Sequence, residues 1–479
     1  MEVPMPTQAE VDSYFPSHPS PAPLPVSNPT RSFWLYSDPD CNPLGDHGST
    51  SVLPDSVDIL IIGSGISGIS TLYHLVQSLR NTSRSVTKIA VMEARQFCSG
   101  AAGRNGGHCT CYCPVDFAAM EAHDGREDAL KHVKLEQRTV DSILDLIQKN
   151  GWADDVDLTQ AGNIHLIRSQ EERLVIESNL KAAEIAGIDI SAFKFLSEAE
   201  CAQLVGSKGD LSGLQLPGNN LYPLKFVTKL FELARRQAAE IGVEVQLYTH
   251  TPVTAIEALS PGSWSVRTSR GSVRTRGVVH ATNAYASHLL PSLLKTSRPV
   301  VPCRAQVMAI RPKDSKKFWD TGFSYNEGFE YFFQRPDRKA NGQAAVPYII
   351  LGGGRSVAPA PHELGVADDS ELNPTVSAYL KSFLPTHFPS LSATEEKQEI
   401  DFHWTGIMGF TPSRNPIVGP VYIDGAQQQG QYILAGFSGH GVSRAGACAE
   451  AVAGMLLAEL EGRATPKYSW MPSHFLTKP

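Results

Sequence analysis

Six residues, Gly63-Ser64-Gly65-Ile66-Ser67-Gly68, carry the strongest chemical signal in the chain. Glycines at this spacing hold a pyrophosphate when a strand precedes them, a helix follows and an acid closes the next strand. Gly63 permits the tight turn, Gly65 lets the backbone approach the phosphates, and Gly68 lets the helix pack on the strand. Ile66 and Ser67 open that helix, whose N-terminus offers unpaired N–H groups and a positive dipole end. Glu93 follows about 25 residues later. It can accept from ribose hydroxyls, and its charge opposes a 2′-phosphate, which favours FAD or NAD over NADP. Ala94 and Arg95 extend the contact segment.

Two further glycine-rich stretches decide between FAD and NAD. Ser99-Gly100-Ala101-Ala102-Gly103-Arg104-Asn105-Gly106-Gly107-His108 comes where an NAD dehydrogenase would continue its parallel sheet. A flavin fold instead wraps a loop of small residues around its cofactor. Gly436-Phe437-Ser438-Gly439-His440-Gly441 leads into the final helix and can aim its N-terminus at the flavin, favouring the reduced, negatively charged form. His108 and His440 are the titratable candidates beside the ring. Either could tune flavin charge or orient substrate, or be a structural histidine bonded to backbone. Arg104 could pair a phosphate or close a loop. Tyr325, Phe329, Tyr331, Phe332 and Trp404 supply aromatic surface, either as pocket or as core. Cys109, Cys111 and Cys113 alternate as on one strand face, but no second ligand pair is evident, so no metal is expected. Gly352-Gly353-Gly354-Arg355 is not followed by a helical pattern and reads as a strand-end turn.

The elements that must position these residues follow from hydrophobic period. Residues 57–62 read as a buried parallel strand, a helical pattern follows through Ile69, Leu72, Leu75, Val76 and Leu79, and 88–92 reads as a second strand, a βαβ unit. Helices are expected at about 125–149, 171–186 and 224–241, and a final one runs to about 460. Strands are expected at 162–167, 243–247, 301–310, 331–334, 348–351 and 432–435, and alternating strands between 252 and 283. Residues 1–55 are rich in Pro and Ser and read as an extended arm. Its apolar cluster Ser32-Phe33-Trp34-Leu35-Tyr36 should dock on the body or line the site mouth.

At 479 residues, with 42% hydrophobic and 19% charged, the chain has enough apolar residues for a large core and enough length for two lobes. A net charge of −7 gives no reason to expect nucleic acid or an anionic membrane as partner. Eight cysteines in this length suit a reducing, cytoplasmic setting. The first residues (Glu2, Glu10, Asp12) do not read as a signal peptide, no stretch is long enough for a membrane span, and Asn81-Thr82-Ser83 has a glycosylation pattern that means little alone.

The chain resembles the FAD-dependent D-amino-acid oxidase superfamily, closest to its γ-glutamylputrescine oxidase-like branch. The resemblance rests on the glycine turn with Glu93, on Gly103-Arg104-Asn105-Gly106-Gly107-His108, on Val278-Val279-His280-Ala281-Thr282-Asn283-Ala284-Tyr285, on Trp404-Thr405-Gly406 and on the turn at Gly436. It implies an α/β fold: a Rossmann-type FAD-binding domain (56–155, 223–298, 401–465) and a second, mixed-β substrate domain (156–222, 299–400). An N-terminal arm (1–55) and a C-terminal tail (466–479) flank them. It adds Val253, Ala281, Thr282, Asn283 and Gly406 to the cofactor contacts. It places His108, His440, Tyr331 and Trp404 at the reacting centre, and Tyr325, Phe329, Tyr331 and Trp404 around the substrate.

The activity implied is oxidation of a small-molecule amine to an imine, with oxygen as acceptor and hydrogen peroxide as product. No cysteine stands before Thr411-Pro412, which implies non-covalent FAD. Ser443 stands where sarcosine oxidase-like relatives carry a substrate-binding lysine, so polyamine-type or secondary amines are expected to outperform common D-amino acids. A non-catalytic flavoprotein and a natural-product tailoring oxidase are the alternatives. A disulfide reductase would need a second glycine fingerprint and a redox C-x₄-C, and neither is present.

Overall fold

The structure is a computed structural model that describes residues 13–80, 86–206, 211–339, 342–388 and 399–479. Asn81-Thr82-Ser83 and the acids Glu2, Glu10 and Asp12 lie outside the described residues. Two sheets dominate. The first has six strands in the order Ile417–Ile423, Ala426–Ala435, Gly277–His280, Ile59–Ile62, Lys88–Met92 and Glu244–Tyr248. All neighbouring pairs are parallel except the first. The four residues of Ile59–Ile62 are all buried, as a central parallel strand covered on both faces requires. Helices Ile66–Leu79, Pro223–Glu240, Arg126–Asn150 and Gly441–Leu460 share its core, and Ala-rich Gly441–Leu460 packs closely on Ile66–Leu79.

The second sheet has eight strands in the order Glu399–Phe410, Val301–Arg311, Ile349–Gly353, Glu330–Gln334, Gly322–Tyr325, Asn163–Ile167, Ser212–Leu216 and Lys194–Leu196. Only the pairing of Gly322–Tyr325 with Asn163–Ile167 is parallel. Helix Pro374–His387, which sequence period did not suggest, covers its far face through Val376, Leu380, Phe383 and Leu384.

The N-terminal arm docks. Phe33, Trp34 and Leu35 form one short helical turn, each under 5% exposed, and the Trp34 indole N–H donates to the Asn105 carbonyl at 2.6 Å. Arg95 grips Asp369 with two N–H groups at 2.9 and 3.1 Å. Asp369 in turn takes the Thr30 amide on its carbonyl at 2.8 Å. The arm is thereby stapled to both sheets.

Expectation and structure part at the cysteines. The strand at His108–Cys109 is only two residues long, and Cys113 opens a 3-10 turn. The three thiols therefore do not share a strand face. Cys113 instead lies with His132 and Glu136, their ligand atoms within 4.8 Å of one another. Glu136 is already engaged there by Arg444 Nε at 2.7 Å. All eight cysteines are free thiols.

Candidate active site

One cavity of about 400 Å³ runs between the two sheets. Its first end is built by strand register. Ile62 lies opposite both Met92 and His280, so Gly63, Glu93 and Ala281 meet at the carboxyl ends of adjacent parallel strands. That crevice is where open α/β sheets take ligands. Gly63 has φ 106°, and a Cβ there would come 2.6 Å from the Ala281 carbonyl oxygen. A Cβ on Gly68 would overlap the Gly63 oxygen. No side chain caps the helix that starts after Gly65, so its first N–H groups are open to the cavity. Glu93 faces the same space. One oxygen accepts from the Ser64 amide (3.0 Å) and hydroxyl (2.8 Å), the other from the Arg95 amide (3.1 Å). Four lone-pair sites leave it room for ribose hydroxyls. A turn a Cβ would fill, an uncapped helix start and a held carboxylate together fit an adenine dinucleotide.

The expected cofactor residues divide into those that line the cavity and those that stand behind it. Gly63, Gly65, Ile66, Ser67, Glu93, Ala94 and Arg95 line it, as do Gly100, Arg104, Asn105, Gly106 and His108. So do Val253, Ala281, Thr282, Asn283, Gly406 and the run from Phe437 through Ser438, Gly439 and His440 to Gly441. Gly68, Ser99, Gly103, Gly107 and Gly436 lie behind this lining, where close packing takes up their lack of bulk; a Cβ on Gly107 would meet the Phe333 ring at 2.9 Å.

Backbone strain collects here. Asn283 (φ 44°) and Ser438 (φ 49°) are non-glycine residues in left-handed conformation. Each is held by a cross-link between segments. The Asn283 side-chain oxygen accepts from the Gly436 amide at 3.0 Å, and the Ser438 amide donates to the Gly409 carbonyl at 2.8 Å.

Two arginines line the cavity with their charges engaged inside the protein, and two expected site residues, Trp404 and Tyr325, stand outside it. Arg104 is 2% exposed and spends its guanidinium within the protein: Nε donates to the Ser99 carbonyl (2.8 Å), Nη1 to the Thr30 and Thr405 carbonyls (2.8 and 2.9 Å). These bonds close a loop, while Nη2 is buried without a hydrogen-bond partner. Arg95 lines the cavity, but its charge is spent on Asp369. Trp404 is fully buried under the loop, its indole N–H on the Arg104 carbonyl at 2.9 Å, and does not line the cavity. Tyr325 does not line it either. Strand alternation gives Ser324 to the cavity and turns Tyr325 onto Phe383 and His387, ring centroids 5.4 and 4.9 Å apart.

The roof is Tyr331 and Phe329, with Ser324 beside them. Tyr331 lies on strand Glu330–Gln334, and its ring fills the space left by Gly106 below and Gly352 alongside. Alternation sends Phe332 to the other face, where it stacks on Phe323 at 4.5 Å. His108 sits edge-on to Tyr331 at 5.8 Å, and burial lowers its pKa to about 4. His440, at the start of the final helix, is held well below the ordinary histidine value by burial and then by the Arg444 and Arg414 charges.

Several lining residues had no sequence signal. Leu24 and Pro25 of the arm line the cavity, whereas the Phe33 cluster does not. From residues 109–113 the cavity takes Thr110 and Tyr112 rather than the cysteines. Asp116, Glu327, Arg355 and Arg414 put two acids and two bases on the far wall. Burial pushes the Asp116 carboxyl up, and the Arg414 charge opposes that shift. These residues come from four separate segments. The only hints were the glycine run before Arg355 and the Thr-Pro turn before Arg414.

Comparison with known proteins agrees with this geometry. A family model described as DAO, FAD dependent oxidoreductase, matches residues 58–455. The chain is 25% identical over 416 residues to a probable oxidoreductase OrdL of Rhizobium meliloti, covering 85% of this chain and 84% of that protein. It is 24% identical over 418 residues to the gamma-glutamylputrescine oxidoreductase of Escherichia coli, covering 84% and 83%. Among solved structures, glycine oxidase from Geobacillus kaustophilus superposes with a TM-score of 0.66 at 16% identity, over 88% of this chain and 98% of that one. L-proline dehydrogenase from P. horikoshii gives 0.65 at 21% identity with the same coverage. The two superpositions show a shared fold. Among the described residues no helix is long and apolar enough to cross a membrane. With the glycine turn, the Ala281 strand end and the start of the final helix all inside the matched span, the chain belongs to the DAO family of FAD-dependent oxidoreductases.

Proposed function

We propose that the protein oxidises a carbon–nitrogen bond of an amine or amino-acid-like substrate to an imine, with oxygen taking the electrons and hydrogen peroxide leaving. The observation that carries this reading is the continuity of one cavity from the dinucleotide cradle at Gly63 and Glu93 to an aromatic roof at Tyr331 and Phe329. FAD, when bound, supplies the two-electron acceptor.

The chain's own residues bind, orient and keep water out. Tyr331 is a fixed surface because two glycines admit its ring and the neighbouring strands hold its backbone. His108 stays neutral at physiological pH. The Asn220 amide nitrogen donates to its Nδ1 at 3.1 Å, which puts the ring proton on Nε2. His108 therefore enters the reaction as a neutral donor rather than a cation. A mostly apolar wall disfavours an ammonium, so the substrate amine loses its proton on entry. No dedicated base is required.

The test is anaerobic mixing of the yellow holoprotein with polyamines, N-methyl amino acids and D-amino acids, followed by an assay for peroxide on admitting air. Bleaching by at least one amine, then peroxide, is the expected result. A flavin that no amine bleaches would overturn the reading.

A further inference from the structure

Tyr112 and Ser324 line the cavity, and behind them stands His165, 1% exposed, on strand Asn163–Ile167. The Tyr112 hydroxyl is 2.9 Å from His165 Nδ1, and His165 Nε2 is 3.0 Å from Glu172 Oε1. Glu172 sits in the first turn of helix Gln170–Ile185, where its other oxygen accepts from the Arg168 amide at 2.9 Å. Its side chain is 9% exposed, and the neighbouring Ser169, Gln170 and Glu171 are exposed. One chain of hydrogen bonds thus runs from the cavity wall to the protein surface through three separate segments.

The chain has a direction. An ionised carboxylate only accepts, so His165 Nε2 carries the ring hydrogen and Nδ1 is the acceptor. Ser324 Oγ also lies 3.0 Å from Nδ1, but its hydroxyl donates to the Asn163 side-chain oxygen at 3.3 Å. Tyr112 therefore fills the Nδ1 acceptor, and every donor along the chain points away from the cavity. The Tyr112 oxygen keeps its lone pairs for a donor on the cavity side. Burial works to raise the Glu172 pKa, but the His165 hydrogen bond and charge outweigh it, so the outer end stays ionised. Burial pushes the Tyr112 phenol well up, so it passes a proton without ionising. The other charged groups facing the chain are Asp116 and Glu327 at Tyr112, Glu136 on the Tyr112 amide at 3.3 Å, and Arg168 at Glu172.

We propose that Tyr112, His165 and Glu172 form a proton exit from the substrate site to the surface. The need for an exit rests on the amine oxidation proposed above; the path rests on the hydrogen bonds. A substrate arriving as an ammonium loses one N–H proton to the Tyr112 oxygen and keeps the electron pair on nitrogen. The phenol proton passes to His165 Nδ1, and the Nε2 proton passes to Glu172 Oε1. Nothing is oxidised or reduced in these transfers, and Glu172 then gives the proton to water. Tyr112 touches the substrate; His165 and Glu172 act through it.

The test uses the holoprotein and tert-butylamine, which has no hydrogen on the carbon beside nitrogen and so cannot become an imine. Rapid mixing near neutral pH in weak buffer follows binding by flavin absorbance and proton release by an indicator dye. In wild type, release should keep pace with binding. In Tyr112→Phe and in Glu172→Gln, with FAD retained, release should lag by about 100-fold. The lag should vanish near about pH 10.4, where the amine arrives already neutral; a merely structural role for these residues gives no such recovery. Glu172→Gln changes a residue outside the cavity lining, so it decides the matter even if Tyr112→Phe fails to fold. No proton release from wild type overturns the proposal. So does a Glu172→Gln protein that releases at the wild-type rate, or release that Asp116→Asn slows while Glu172→Gln does not. If amines bleach the flavin but release is independent of Tyr112 and Glu172, the oxidase reading stands and the exit falls. If no amine bleaches the flavin but release depends on both residues, the exit stands and the oxidase reading falls.

Discussion

The Tyr331 ring rests against the Cα of Gly106, closely enough that a Cβ at residue 106 would overlap it. Gly106 belongs to the cofactor loop and Tyr331 to the roof, so the height of the roof above the loop is set by the absence of one methyl group. Gly106→Ala should push the ring off its site. Overpacking of this kind costs about 1–3 kcal/mol. A lower Tm and a changed KM are expected from melting curves and steady-state kinetics. Adding Tyr331→Ala should restore part of the Tm, because it removes the atoms that collide.

Glu330, beside Tyr331 but facing the opposite side of the sheet, is fully buried, and its nearest donors, the Asn326 side chain and the Gly354 amide, only partly offset that burial. Burial pushes its pKa up to about 8. The folded state thus holds a proton that the unfolded chain releases near 4.5, so stability falls as pH rises from about 4.5 to about 8. Glu330→Gln removes that dependence. Urea melts at pH 5, 6.5 and 8 should show the variant gaining on wild type as pH rises, by at most about 1.4 kcal/mol per pH unit. A constant difference across that range would mean that the carboxyl titrates normally.

Glu136 and Arg444 form a buried ion pair linking helix Arg126–Asn150 to the start of the final helix, beneath His440. Removing one partner leaves a buried charge. Arg444→Met alone should cost about 3–5 kcal/mol. The double replacement, Arg444→Met with Glu136→Leu, should cost less than the sum of the singles. A double-mutant cycle from denaturant melts measures the coupling, and additive losses would show that the pair is not coupled.

Asp369 is where Arg95, Arg104 and the arm residue Thr30 converge. Asp369→Asn keeps the carbonyl bond to Thr30 but takes away the charge that two buried arginines share. The arm should then loosen. Limited proteolysis should cut residues 13–31 faster than in wild type, and FAD should leave sooner on dilution, because Leu24 and Pro25 wall the cavity. An unchanged cleavage rate would show that the apolar docking of Phe33 and Trp34 is sufficient to hold the arm.

The dinucleotide end was legible in the sequence because its parts are contiguous. A turn of three glycines, the helix it opens and the acid on the next strand are short-range features, and the backbone supplies much of the binding. Most strand and helix spans of the first sheet followed for the same reason, with bounds off by one or two residues, but strand Ala426–Ala435 starts six residues before the expected 432 and edge strand Ile417–Ile423 was not anticipated. The roof was legible only in part. Tyr331 and Phe329 line the cavity, whereas Tyr325 and Trp404 do not. A strand's period tells which residues share a face but not which face meets the cavity. For Arg104 the sequence left phosphate and loop closure open; Asp369, Thr30 and Thr405, distant in the chain, decide for loop closure.

The sequence by itself determined a dinucleotide cradle, its acid and the order of the elements around them, because backbone geometry and hydrophobic period act over a few residues. Only the tertiary structure decided which charges are satisfied. Asp116, Glu327, Arg355 and Arg414 come from separate segments and meet on one wall. Whether a guanidinium has a carboxylate beside it depends on distances that no local pattern encodes.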